Sequence, residues 1–152
     1  MSNKKHPYQR KTRKSRNYEV VEIVWPPGAK SPPHDHGESK GMIMVVSGTI
    51  YQEVFDKETK MFRLSATYGS GSVIEETPDI IHVMGNASKD EPAKTVHVYT
   101  PHLKMTDYAS GELFQECRVC HGTKVICVQG EDLPIQCSEC SGSGKTKYYA
   151  ST

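Results

Sequence analysis

The chain lacks the features that would place it in a membrane or in an export route. Its 152 residues contain no apolar run long enough to cross a bilayer, and nothing in them resembles a signal peptide. Acidic residues are missing from the first 18 positions, whereas Lys4, Lys5, Arg10, Lys11, Arg13, Lys14 and Arg16 all come before Glu19. Residues 1–17 therefore read as a solvated, partly mobile basic leader. Nucleic-acid contact by this leader has little support, because Tyr8 is its one aromatic residue and no binding motif is present. The whole-chain net charge of +1 names no partner. Sustained helical periodicity is absent before residue 101. Of five cysteines, four fall in CxxC pairs, which suits metal binding in a reducing cytosol better than a disulfide scaffold. A cytoplasmic protein is expected.

What the chain does have is a series of short strands. Residues 18–25 are rich in β-branched side chains and end at Pro26-Pro27-Gly28. Residues 41–47 and 49–55 flank a hairpin-like Ser47-Gly48 turn. Residues 61–68, 72–75, 80–84 and 94–99 follow, separated by Gly, Pro and polar loops. Such spacing predicts an all-β sandwich or barrel over residues 18–103. Pro101 ends the series, and residues 104–116 read as a linker or short helix. From Cys117 the composition shifts to Cys, Gly, Ser and Lys, which marks a separate module over residues 117–147.

Inside the barrel region, His34-Asp-His36 places two imidazoles on one strand face. His82, from a distant strand, supplies a third. Three such ligands cover one side of a metal and leave positions open on the other, where chemistry takes place. A lone histidine is more often a hydrogen-bonded core residue than a ligand. Three in this arrangement are not.

The motifs carry a family resemblance. Gly28-Ala-Lys-Ser-Pro-Pro-His34-Asp-His36 with Gly48 resembles the first cupin motif, and Gly71, Pro78, His82 and Asn86 resemble the second. The implied fold is a double-stranded β-helix barrel with a metal inside. The common cupin pattern has a glutamate five residues after the second histidine, and here that position is Gly41. Three neutral imidazoles would then leave a ferrous site at net charge +2, open to an anionic thiolate. Glu38 competes as a ligand by strand alternation, but Gly37 is expected to turn the chain away first.

Thr95-Val-His97-Val-Tyr99 puts three polar side chains on one strand face, which is costly in a core unless they bond one another or a ligand. With Trp25-Pro-Pro-Gly28 and Tyr8-Gln-Arg10, this is similar to the cysteine dioxygenase family of thiol dioxygenases. The resemblance implies iron(II) on His34, His36 and His82. It implies a relay of Thr95, His97 and Tyr99, with threonine in place of serine. It also implies Tyr8 and Arg10 in substrate binding, with Arg10 pairing to the substrate carboxylate; Arg13 and Arg16 lie near enough in sequence to take that role. The expected reaction converts a small thiol such as cysteine or 3-mercaptopropionate to its sulfinate with dioxygen.

Two departures stand out. Members with a cysteine at the position of Gly41 crosslink it to the active-site tyrosine, and that bond cannot form here. The chain also starts shortly before Tyr8, so the family's helical N-terminal part is expected to be missing. Part of the pocket wall would then be absent or come from another subunit, and a homodimer fits that expectation.

In the C-terminal segment, Cys117-Arg-Val-Cys120 and Cys137-Ser-Glu-Cys140 form two knuckles suited to tetrahedral structural zinc. Residues 137–144 also resemble the CxxCxGxG repeat of DnaJ-type chaperone zinc domains, and the first knuckle matches in part. So short a module folds largely on its metal. It serves as a structural clip or, through Lys124, Lys145 and Lys147, as a docking site for protein or nucleic acid. Cys127 is left over as a buried or free thiol, and His121 adjoins Cys120 as a weak competitor. The alternative to an enzyme is a non-catalytic cupin that senses a metal or ligand and binds a macromolecule through its tail.

Overall fold

The computed structural model describes residues 7–148. It is all-β, with a 3-10 turn at Ser110–Glu112 and no α-helix among the described residues. Two five-stranded antiparallel sheets face each other. The first runs β1 (Gln9–Lys14), β2 (Glu19–Trp25), β9 (Ala93–Thr100), β4 (Lys40–Ser47), β7 (Val73–Glu76). The second runs β10 (Thr106–Asp107), β3 (His34–Asp35), β8 (Ile80–Asn86), β5 (Ile50–Asp56), β6 (Phe62–Tyr68). This interleaving of strands distant in sequence is the double-stranded β-helix.

Strand periodicity builds the interior. Along β2, Glu19, Val21, Ile23 and Trp25 are buried, and along β9 Ala93, Thr95, His97 and Tyr99 are buried. The core joins the two sheets through Val21, Trp25, Ile43 and Val45 on one side and Ile50 and Met84 on the other. The inner face is therefore apolar at one end and polar at the other, and the polar end is where the histidines lie. Gly48 has φ +79°, and a Cβ there would lie 2.7 Å from that of Ala93, so only glycine suits this turn.

The structure corrects the outlying segments. Residues 9–14 of the expected leader form β1, an edge strand paired along its length with β2. Tyr8 is buried, its ring centroid 4.5 Å from that of Trp25. The reason is register: strand alternation sends Tyr8 and Arg10 inward while the charges at Lys11 and Arg13 stay in water. Basic composition masked this pattern. Residues 1–6 of the leader lie outside the described residues.

The expected linker over 104–116 is also part of the body. β10 pairs with β3, Leu113 is buried against Phe55, Ile81 and Val83, and β11 (Phe114–Glu116) pairs with β14 (Lys145–Lys147). Tyr148 returns to the same cluster and stacks on Phe62 at 5.3 Å. The outer face of the second sheet is thus covered by the chain's own tail. The outer face of the first sheet is apolar as well, with Met42, Met44, Val46, Val73 and Val98 exposed.

Leu113→Ala should lower unfolding stability by about 2–4 kcal/mol, the usual cost of truncating a buried leucine. Urea denaturation measures it; an unchanged midpoint would mean that the tail does not pack on the barrel.

Candidate metal centre and its hydrogen-bond relay

β3 and β8 lie side by side with His34 opposite His82, which brings two ligands together through one sheet register. His36 follows two residues after His34, and all three are buried. One ring nitrogen from each lies within 4.8 Å of the other two. The hydrogen bonds fix which nitrogen is free. His34 Nδ1 lies 2.8 Å from the Pro32 carbonyl oxygen, which only accepts, so Nδ1 carries the proton. His82 Nδ1 likewise donates to Gln52 Oε1 at 2.8 Å. Both Nε2 atoms are therefore bare lone pairs, yet they face each other at 3.0 Å. Two acceptors at that distance repel unless a cation lies between them. For metal–nitrogen bonds near 2.1 Å, ligands on an octahedral face sit about 3.0 Å apart and tetrahedral ones about 3.4 Å. The donor set suits a divalent metal, and the His34–His82 spacing is that of two neighbouring ligands on an octahedral centre.

Burial is the main reason that all three imidazoles are neutral. Desolvation pushes His34, His36 and His82 down to about 3. Neutral imidazole is the ligand form.

Glu38, the competing ligand, is exposed: Gly37 adopts φ +65° and turns the chain outward. Asp35 faces away from the histidines and ties β3 to the tail, accepting from the Gly37 amide and the Tyr108 hydroxyl. Asn86 clamps a loop, its amide nitrogen donating to the carbonyls of Trp25, Pro26 and Glu91.

The carboxylate missing at position 41 enters from the next strand. Glu76 pairs with Gly41 in register and is 1 % exposed. Its Oε1 lies 2.8 Å from His82 Nδ1 and its Oε2 3.3 Å from His36 Nδ1. It stands beside the ligands, outside the three-histidine cluster. Gly41 makes room for this arrangement, because a Cβ there would lie 2.5 Å from the Tyr99 ring. Burial, first of all, pushes the Glu76 carboxyl up, and the histidines pull it back. Glu76 would lower the charge of a divalent centre from +2 to +1 only in its ionised form, and burial favours the neutral one.

Thr95, His97 and Tyr99 form a connected chain. The Trp25 indole Nε1 donates to Thr95 Oγ1 at 2.9 Å. Thr95 Oγ1 and His97 Nε2 lie 2.7 Å apart, and His97 Nδ1 and Tyr99 Oη 2.8 Å apart. Tyr99 Oη donates to Glu76 Oε2 at 3.2 Å. Trp25 donates at one end and Tyr99 donates to Glu76 at the other, so the protons between them, with His97 neutral, point from Trp25 toward Glu76. Burial holds Tyr99 well above its ordinary value and His97 well below. Tyr99 is therefore a neutral donor beside His36, at a ring distance of 5.0 Å.

Arg10 lies on the interior face of β1, and its charge reaches His34, His97 and Tyr99. Its Nη2 is 4.0 Å from Glu19 Oε2, and its Nη1 contacts Met105 Sδ. Arg13 alternates to the outer face, so it does not share Arg10's position, and Arg16 lies in an exposed turn. Sequence reading missed Glu76, Gln52, Glu19 and the role of Trp25. Strand alternation was the available signal, since Glu76 shares a face with Ile74.

The four cysteines converge separately. Cys117 and Cys137 Sγ are 3.9 Å apart, and Cys120 and Cys140 Sγ 3.7 Å apart. Four sulfurs 2.3 Å from a tetrahedral metal would be about 3.8 Å apart, so the cluster fits one ion. The partly matching first knuckle repeats the second in its backbone. His121, Gly122 and Lys124 have φ of 52°, 79° and 73°, against 52°, 76° and 80° for Ser141, Gly142 and Gly144. Lys124 thus adopts the left-handed conformation that glycine takes in the other knuckle. His121 and Cys127 are exposed and lie outside the cluster.

The buried imidazoles make a pH prediction for the metal-free protein. Between about 6.5, their unfolded value, and about 3, the unfolded chain binds more protons than the folded one. Stability is full above that window and is lost as pH falls through it. Glu76 acts in the opposite sense but is one group against four, counting His97. The urea midpoint of metal-free protein should fall between pH 7 and pH 5; a flat or rising profile would contradict the neutral, dry cluster.

A family model, cysteine dioxygenase type I, matches residues 5–110. Solved structures share the fold. An oxalate decarboxylase from Lactobacillus farciminis aligns at 17 % identity and TM-score 0.60, over 69 % of this chain and 32 % of its own. A RmlC-like cupin with a double-stranded β-helix fold from Methanocaldococcus jannaschii aligns at 14 % and 0.53, over 67 % and 87 %. An oxalate oxidase aligns at 17 % and 0.53, over 59 % of this chain and 45 % of its own, so the chain spans less than half of that protein. At these identities the likeness is one of fold. With its family match extending through β1, the histidine cluster and the relay, the chain belongs to the cysteine dioxygenase type I family of cupins.

Proposed function

We propose that this protein is an iron(II)-dependent thiol dioxygenase, which adds both atoms of dioxygen to the sulfur of a small carboxylate-bearing thiol and yields the sulfinate. The observation that carries the reading is the pair of bare Nε2 atoms facing each other at 3.0 Å, with a proton-directed relay ending beside them. His34, His36 and His82 would hold the iron, which when bound supplies adjacent positions for thiolate and dioxygen.

The chain's own residues then divide the work. Arg10 binds the carboxylate: its 4.0 Å separation from Glu19 is a loose ion pair that a better-placed anion can replace. Tyr8 braces Trp25, at the start of the relay. Tyr99, held neutral by burial, gives its one proton to Glu76 Oε2 here and in the reaction would redirect it to developing oxygen charge, while His97 keeps donating to the same hydroxyl oxygen. Glu76 accepts the hydrogen bond from Tyr99 and stands beside the His36 and His82 rings without a hydrogen bond to either. Cysteine and 3-mercaptopropionate both suit this arrangement.

The four-cysteine module is proposed to bind structural zinc. A docking role for it draws on exposed Lys124, Lys145 and Lys147, with Val119 and Leu133 also exposed. A non-catalytic sensor would need the same barrel but not the buried relay.

Anaerobically iron-loaded protein should consume dioxygen with cysteine or 3-mercaptopropionate and release a sulfinate detectable by mass spectrometry. Zinc alone on metal analysis, with no turnover of either thiol, would overturn the assignment. Tyr99→Phe should lower kcat by about 10²-fold or more at unchanged metal content, as loss of one oxyanion donor does. Arg10→Ala should raise KM for carboxylate thiols about 10- to 100-fold, the worth of a charged hydrogen bond, and spare 2-aminoethanethiol, which has no carboxylate. Equal loss for both substrates would remove Arg10 from carboxylate recognition.

A further inference from the structure

A buried polar atom without a partner is costly and therefore rare. Among the described residues, the buried side-chain polar atoms that lack a hydrogen bond are His36 Nδ1, Glu76 Oε1 and Glu19 Oε1. The first two belong to the histidine centre. Glu19 opens β2, and its side chain is 4 % exposed. Two cations approach it without closing a hydrogen bond: Arg10 Nη2 stands 4.0 Å from Oε2, and Lys14 Nζ 3.7 Å from Oε1. The Lys14 side chain is 62 % exposed, so water remains its main partner.

The register says where this carboxylate is aimed. Lys14, Glu19, Tyr99, Gly41 and Glu76 form one row across all five strands of the first sheet. Glu19, Tyr99 and Glu76 of that row are buried on the interior face. Tyr99 is thus flanked by two buried glutamates. Glu76, on one side, accepts the hydrogen bond from its hydroxyl. Glu19 is the neighbour on the other side, and the Tyr99 ring leaves it uncovered, because that ring lies over Gly41. Arg10 reaches the same carboxylate from β1, and its charge is felt at His34 and Tyr99. Arg10 and Glu19 therefore offer one cation and one anion side by side, next to the histidine centre.

We propose that Glu19 holds the ammonium group of the substrate, with Arg10 on its carboxylate, and so selects a thiol that is also an α-amino acid over thiols that lack the amine. This rests on the thiol-binding site proposed above. In an α-amino acid the ammonium and the carboxylate leave the same carbon, so the groups that bind them have to be neighbours. Opposite charges 4.0 Å apart are too distant to satisfy each other by hydrogen bonding and close enough to bracket such a zwitterion. When the substrate carboxylate takes Arg10, Glu19 loses one of its two cations. An ammonium group replaces that cation and brings three donors, which supplies the missing hydrogen bond at the carboxylate. 3-Mercaptopropionate offers a carboxylate to Arg10 and nothing to Glu19. 2-Aminoethanethiol offers an ammonium to Glu19 and nothing to Arg10.

Anaerobic calorimetric titration of the iron-loaded full chain with L-cysteine, 2-aminoethanethiol and 3-mercaptopropionate tests this without turnover. Wild-type protein should bind cysteine at least about tenfold more tightly than 3-mercaptopropionate. Glu19→Gln should weaken cysteine and 2-aminoethanethiol about 10- to 100-fold, the worth of a charged hydrogen bond, and leave 3-mercaptopropionate unchanged or tighter. Arg10→Ala should give the complementary pattern, weakening cysteine and 3-mercaptopropionate and sparing 2-aminoethanethiol. A Glu19→Gln protein that binds cysteine as wild type does overturns the proposal. So does equal loss of all three thiols, which is damage to the site as a whole. Loss of cysteine and 3-mercaptopropionate with 2-aminoethanethiol spared also overturns it, because Glu19 would then act only through Arg10. Should Glu19→Gln not fold, the wild-type ranking decides, and equal affinity for cysteine and 3-mercaptopropionate refutes the assignment. Failure of the dioxygenase reading shows separately, as absence of sulfinate while these affinities keep their order.

Discussion

Neutral imidazoles driven together in a dry interior organise the rest of this molecule. His34 and His82 turn their protonated nitrogens outward, to a carbonyl and an amide oxygen, and their lone pairs inward to each other. Protonation would relieve that opposition, but burial pushes the rings down to about 3. A cation is the remaining relief. The barrel, the register of β3 on β8 and the buried Gln52 all serve to keep this unfavourable arrangement in place until a metal enters.

The same economy of polar groups governs the relay. A tryptophan that can only donate lies at one end and a carboxylate that accepts lies at the other, so three side chains between them have no freedom in proton direction. Glu76 belongs to both systems, touching two ligand rings and the tyrosine. Removing the side chain at position 41 makes this sharing feasible, because the Tyr99 ring occupies the space that a Cβ would fill.

Much of this was legible from residues alone. Alternation along β9 announced Thr95, His97 and Tyr99 as an interior set, and the spacing of His34, His36 and His82 announced a cluster able to hold a metal. Glu76 was harder to read, because Glu75 beside it has the same chemistry and alternation from Ile74 is the one clue in a four-residue strand that Glu76 points inward. β1 was hidden by its composition: an edge strand with one charged face looks like a solvated tail until Tyr8 and Arg10 are seen to share the other face. Residues 104–116 were hidden for a different reason. Their anchors are Tyr108 and Leu113, five residues apart, a spacing that matches neither the strand nor the helix period.

The four-cysteine module leaves the body at Phe114–Glu116 and comes back at Lys145–Lys147, on adjacent strands. Both ends of the excursion therefore meet at one hairpin base, and the anchors on either side, Leu113 and Tyr148, belong to the barrel. An insertion of this shape is separable by construction. Evolution or an engineer could exchange the loop between those two strands for a tight turn, or for some other domain with closely spaced ends, while the barrel kept its own strand pairing and its cover of Leu113 and Tyr148.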